Sequence, residues 1–379
     1  MALIQRPFTR RRLRALAAVA VALAALAGVI LWFAGSEDRA LDEACDGVLP
    51  VGEVRAVLGD GDMEITNRTE GSFDGAGESE RGNSLSVRCE VRSEGTGRLT
   101  VTIAGAPRPS AEHGKAELYA AVPSRHTLPV PLGHGWSGLF ATDSARLGDG
   151  EDGGATTAVL LPCAKGGDSL LITVASVLGR DVTLDNPAGR PGFIRTATAT
   201  AEAANDHWDC GARLGTPVRE VDLPVNEDEY EPLIGAKGTC AGVPTAARSA
   251  VSTARETARA DAPRETCALG ARDGSPRYRL DAYYGPYAED ARAQFTHDYD
   301  YENVTPAEKP AGRLGRSAYW AGATCPKGAA SALYLIRADD ADGDARRSPD
   351  LGYERAALKA FATRSAAHHG CAAPSLPGG

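Results

Sequence analysis

Apolar and polar residues alternate along "SLSVRCEVR" (84–92) and along "RLTVTIAG" (98–105), with turn residues between the two runs. That period of two predicts an antiparallel hairpin with one buried face. "TTAVLLPC" (156–163) and "SLLITVAS" (169–176) predict a second hairpin around a Cys-x-Lys-Gly turn. Helical spacing replaces alternation in "LPVGEVRAVLG" (49–59), whose final glycine marks a stop. It also marks "SAEHGKAELYAAV" (110–122), opening on a serine cap, and "GFIRTATATAEAANDHW" (192–208). The glycine- and acid-rich stretch 70–84 reads as a loop. The order helix, hairpin, helix, hairpin, helix implies an antiparallel sheet with helices on one face, an α+β arrangement.

A shortened version of this order follows. "PCAKGGDSLLITV" (162–174) and "TCPKGAASALYLI" (324–336) match at Cys163 and Cys325, Lys165 and Lys327, Gly166 and Gly328, Ser169 and Ser331, Leu171 and Leu333. Only six of the 41 basic residues are lysine, so two Cys-x-Lys turns in register are not a product of composition. "CDGVLP" at Cys45 matches "CAGVP" at Cys240, each opening a helix-like stretch. "RETCALGARDGSPRYRLDAYYG" (264–285) repeats the cysteine-bearing hairpin, and "RLGRSAYWAG" corresponds to "PLGHGWSGLF". The closing helix recurs as "YERAALKAFATRSAAHH" (353–369), with His207 and His368 each three residues before the last cysteine of its set. The chain therefore divides into module one (40–215), an acid- and proline-rich linker (216–239) with room for one strand, module two (240–371) and a tail (372–379).

Eight cysteines, none in a C-x-x-C pair, read as disulfides in an exported chain and not as a zinc ribbon or redox motif. Four cysteines permit three pairings, and sequence alone does not choose. The near-constant spacing of the third and fourth cysteines favours a strand start tied to the end of the last helix. The preferred set is Cys45–Cys89, Cys163–Cys210, Cys240–Cys267 and Cys325–Cys371.

Ahead of the modules, the run Ala15–Ser36 carries no charge. At about 1.5 Å per residue it spans about 33 Å, enough for a hydrocarbon core of about 30 Å. Five arginines precede it and two acids follow, so residues 1–14 are expected in the cytoplasm and the body outside. The expected whole is thus α+β: a transmembrane helix at 15–36, then two tandem modules, at a bacterial plasma membrane. A cleaved signal peptide is the competing reading, disfavoured because "LWF" stands where small residues are wanted. Arginine and alanine richness suggests a high-GC bacterial coding sequence. Beyond residue 36 the chain holds 36 basic against 50 acidic residues, a poor surface for phosphate, so nucleic acid is excluded as a partner.

"ACDGVLPVGEVRAVLG" followed by "VRCEV" resembles the opening of a family of actinobacterial secreted proteins and lipoproteins of unknown function. The resemblance implies a Cys-x-x-Leu helix paired with a later strand cysteine, and a cysteine-terminated last helix. It covers most of each module, with a membrane helix here where relatives often carry a lipid. Some comparable secreted proteins have a PsbP-like sheet-and-helix fold, which the resemblance admits here. It carries no catalytic residues over.

Motifs for chemistry are sparse. His207, His368 and the adjacent His369 read as polar residues on last helical turns, where positive charge suits the helix dipole. "DDADGDARRSPD" (339–350) has its glycine fourth and Leu351 twelfth, which fails the EF-hand pattern. "GWSGL" around Ser137 lacks the second glycine of a nucleophile elbow. No catalytic, cofactor or metal site is therefore expected. "DAYYGPYAEDARAQFTHDYDYEN" (281–303) concentrates Tyr283, Tyr284, Tyr287, Tyr299 and Tyr301, a composition suited to recognition or, in the plainer reading, to core packing. The leading expectation is a non-enzymatic, membrane-anchored envelope protein binding an envelope protein or polymer. The alternatives are an envelope hydrolase using unmarked carboxylates and a transmembrane signalling accessory.

Overall fold

The computed structural model describes residues 39–73, 85–106, 127–142, 153–164, 168–179, 184, 187–297, 309–314, 318–326, 332–339 and 348–378. Two seven-stranded sheets dominate it, and every pairing between their strands is antiparallel. The first contains β1 (Met63–Glu70), β2 (Ser86–Ser93), β3 (Gly97–Ala106), β4 (Val130–Pro131), β5 (Gly138–Thr142), β6 (Gly153–Pro162) and β7 (Ser169–Leu178), in the order β1-β2-β3-β7-β6-β5-β4. The second contains β8 (Glu231–Pro232), β9 (Thr253–Glu256), β10 (Arg264–Gly270), β11 (Pro276–Tyr283), β12 (Ala311–Arg313), β13 (Ala318–Ala323) and β14 (Ala332–Ala338), in the order β12-β13-β14-β11-β10-β9-β8. Read outward from the cysteine-bearing hairpins, β2-β3-β7-β6 and β10-β11-β14-β13 are the same four-strand arrangement.

The hairpins form where the sequence predicts them. Cys89 faces Val101 across β2–β3, and Cys267 faces Leu280 across β10–β11. Gly97 closes the first turn at φ 138°, where a Cβ would strike the Val177 carbonyl of β7. The second predicted hairpin is β6–β7, paired from Gly153↔Leu178 to Pro162↔Ser169.

Among the described residues, four α-helices are set against these sheets: α1 (Val51–Leu58), α2 (Arg190–His207), α3 (Pro286–His297) and α4 (Leu351–His368). Phe193, Ile194, Ala197, Ala201 and Ala204 recur at helical spacing and bury α2 on β6 and β7. The mostly small residues allow close approach, and Phe193 meets Phe140 edge-on at 6.1 Å. Thr200, also buried, returns its hydroxyl to the Thr196 carbonyl at 2.7 Å, so it leaves no polar debt in the core. In the second sheet Ala357, Leu358, Phe361, Ala362 and Ala366 seat α4 on β11, β13 and β14. Asp350 caps this helix, accepting the Tyr353 amide at 3.1 Å. On the opposite face Ala288 and Ala291 of α3 pack with Trp320, Leu333 and Leu335. A further apolar cluster joins Leu139, Leu160 and Leu171 of the first sheet to Ala262 and Tyr287 of the second half.

All eight cysteines are paired: Cys45 with Cys89, Cys163 with Cys210, Cys240 with Cys267, and Cys325 with Cys371. Residues 216–239 do not hang between the sheets. Trp136 donates its indole N–H to Thr216 O at 2.8 Å, Arg190 donates to Val221 O at 2.7 Å, and Leu128 bridges to Val225.

The expected architecture, an α+β chain led by a spanning helix, is corrected. The described residues are mostly two antiparallel sheets with few helices, and no helix among them is long and apolar enough to cross a membrane. The uncharged run 15–36 and the expected helix 110–122 lie outside the described residues. Two local patterns misled the balance. β1, "MEITNRTE", is exposed at most positions and carries no full alternating signature, so this edge strand was not predicted. The helix-like stretch at Cys240 is a series of turns instead, with Gly242 at φ 78° and Pro244 two residues on.

Candidate functional site

One polar cluster among the described residues is built from the two ends that the second-half disulfides hold. Glu265 is the second residue of β10, two before Cys267. Strand alternation places Glu265, Cys267 and Leu269 on one face, the face covered by α4. At the other end, α4 closes with Gly370 in the left-handed region at φ 65° and the Cys371 amide donating to Ala366 O at 2.9 Å. This terminal turn is a Schellman closure, and it delivers His368 and His369 just before the Cys325–Cys371 bridge.

The carboxylate of Glu265 is 2% exposed and shared between partners. Its Oε1 lies 3.0 Å from His369 Nε2, while its Oε2 accepts the Ser365 hydroxyl at 2.7 Å. Ser365 has one hydrogen and gives it to Glu265, so the Tyr284 hydroxyl at 2.5 Å is the donor to Ser365 Oγ. The Tyr284 ring stacks on His369 at 3.7 Å between centroids. Arg259 reaches within 4.0 Å of Oε2, and its other nitrogen donates to Thr239 O at 2.8 Å. Burial pushes the Glu265 carboxyl up, but the bonds from His369 and Ser365 and the Arg259 charge outweigh it and hold the group below its ordinary value. Burial pushes Tyr284 strongly up, so its hydroxyl stays protonated.

His368 stands at the rim, with Nε2 4.0 Å from the exposed Asp261 carboxylate. One ligand-type atom from each of Glu265, His368 and His369 lies within 4.8 Å of the others. This is an acid-and-imidazole cluster and not a hydrolytic triad. Ser365 is fully buried and bonded to the acid, and the imidazole bonds the acid and not the hydroxyl, so this cluster lacks the serine–histidine contact of a triad.

The first half carries the same frame without this chemistry. α2 also ends in a left-handed residue, Asp209 at φ 47°, with the Cys210 amide donating to Asn205 O at 3.0 Å. Counted from the bridged cysteines, Val87 stands where Glu265 does, Ala204 where Ser365 does, and Trp208 where His369 does. His207 keeps its place but is exposed and lies edge-on to Trp208 at 4.7 Å.

The tyrosine-rich segment is distributed differently from a surface patch. Tyr284 and Tyr287 are buried, Tyr283 is half-buried under Arg264, and Tyr299 and Tyr301 lie outside the described residues. Asp340, Asp342 and Asp344 also lie outside them, as do Lys165 and Lys327. On the other face of the second sheet, Asp281 accepts from Thr266 at 2.7 Å and from Arg279 at 3.0 Å, with Arg264 and Arg337 each at 3.5 Å.

Sequence reading singled out His368 and His369 but not Glu265, Ser365 or Asp261. A glutamate on a strand becomes conspicuous only when the two halves are laid side by side and Val87 is found at its place. No family model, no curated protein and no solved structure matches the chain.

Proposed function

We propose that the chain is a non-enzymatic binding protein on the outer side of a bacterial envelope, with an envelope protein or polymer as its partner. The observation that carries this reading is the closed arrangement of its reactive groups. Ser365 is fully buried and gives its proton to the Glu265 carboxylate, which His369 holds in turn, so this hydroxyl is closed off from a substrate. Four disulfides support an oxidising compartment, where such bridges form and persist. The resemblance to secreted actinobacterial proteins points to the same compartment. The two sheets with a common central order suit a protein that presents related surfaces, not one that encloses a reaction.

The test is to incubate the oxidised chain with purified cell-wall polymer and, separately, with envelope extract. Saturable, stoichiometric retention on one of them without soluble fragments is the expected result. Release of soluble wall fragments at turnover overturns the reading in favour of an envelope hydrolase. Absence of retention on both materials overturns it as well.

A further inference from the structure

We propose that Glu265, His368 and His369 bind a first-row transition-metal dication of the zinc class, with Asp261 or solvent in the fourth position. The inference stands apart from the partner-binding reading, because it concerns an ion and is tested without a partner.

Two imidazoles and one carboxylate are a mixed nitrogen and oxygen donor set, which suits zinc and its neighbours better than calcium or magnesium, whose sites are built from oxygen. The His369 Nε2 to Glu265 Oε1 distance of 3.0 Å is close to the edge of a ligand tetrahedron. With bonds of about 2.0–2.1 Å, that edge is about 3.3 Å. An ion thus replaces the shared proton between these two groups with little movement of either. His368 closes the third position by turning inward: its ligand atom is already within 4.8 Å of the other two, and its side chain is one-third exposed.

The surroundings orient these groups as supporting contacts orient metal ligands. Ser365 holds Oε2 at 2.7 Å and so aims Oε1 at the histidines. Tyr284 fixes the His369 ring plane by stacking and secures Ser365 through its hydroxyl. Cys267 lies two residues beyond Glu265, and Cys371 two beyond His369, so each buried ligand is stapled near its backbone. Both bridges lie inside the second half, whose equivalent frame in the first half is filled by Val87, Ala204 and Trp208. A frame held in common, with Glu265 and His369 matched by Val87 and Trp208 and only His368 matched by a histidine, His207, separates the polar set from what the fold itself requires. Arg259 is the opposing charge, 4.0 Å from Oε2, and it tempers the affinity.

The experiment is calorimetric titration of the chelator-stripped, oxidised full chain with zinc(II), paralleled by cobalt(II) and its visible absorption. One ion per chain is expected, with a cobalt spectrum of tetrahedral intensity. His368→Ala, at an exposed position outside the core, is expected to weaken binding at least about tenfold, as loss of one of three ligands requires. His207→Ala, at the corresponding place in the first half, is expected to leave affinity and spectrum unchanged. A zinc-dependent rise in thermal midpoint is expected in the parent and His207→Ala proteins and reduced in His368→Ala. No saturable binding overturns the proposal, and so does binding that His368→Ala leaves intact or that His207→Ala abolishes. Folding of each variant is read from its metal-free midpoint, which the two surface substitutions leave near that of the parent.

Discussion

Asp281 is 1% exposed, with Arg264, Arg279 and Arg337 around it and the Thr266 hydroxyl donating to it. Burial pushes its carboxyl up, but the three guanidinium groups overcome that and hold it far below the carboxylate range. Removing its charge leaves the arginines facing one another. Asp281→Asn is therefore expected to cost about 3 kcal/mol in urea unfolding near neutral pH, and a cost under about 1 kcal/mol contradicts this role. Glu354, fully buried on α4, lacks such neutralisation. Burial raises it to about 7, Arg313 and Tyr278 oppose, and Asp350 adds to the rise. Below its ordinary value both folded and unfolded states are protonated and no penalty exists. As pH rises toward 7 the unfolded state ionises first, so stability is lost with rising pH. Glu354→Gln should match the parent at about pH 3.5 and exceed it in urea midpoint at about pH 8, whereas parallel midpoints contradict the assignment. Neither role was legible in the sequence. A chain with fifty acids does not reveal which of them a sheet will bury.

The closing helices show how far element-level patterns reach. Their existence, their apolar spacing and the cysteine beyond each end were readable, since all are local to about twenty residues. Their buried companions were not, because Glu265 lies about a hundred residues from His369 in sequence and reaches it only through the sheet. The opening of the second half failed for a local reason, since turn chemistry at Gly242 and Pro244 overrode a helix-like composition. Opening the Cys325–Cys371 bridge, with 46 residues of separation, is expected to cost about 4 kcal/mol. The double substitution to serine, followed by urea unfolding, measures it. A loss under about 1 kcal/mol means that packing alone sets the end of α4.

On the scale of the molecule, β6 and β7 hold the sign that more than one layer covers the first sheet. "TTAVLLPC" and "SLLITVAS" are near-continuous apolar runs, as strands buried on both faces are, and not clean alternations. One face takes α2, and on the other Leu160 and Leu171 meet Tyr287 and Ala262 of the second half. Leu160→Asp places an unpaired charge in that cluster. A single calorimetric unfolding transition should divide into two, and an unchanged single transition contradicts a cooperative contact between the halves. The central claim is that two sheets are each closed by their own pair of bridges, which also fix the Glu265–His369 site. Non-reducing peptide mapping of the oxidised chain tests it most directly. The account predicts Cys45–Cys89, Cys163–Cys210, Cys240–Cys267 and Cys325–Cys371, with every bridge inside one half. A disulfide joining one of the first four cysteines to one of the last four would contradict it.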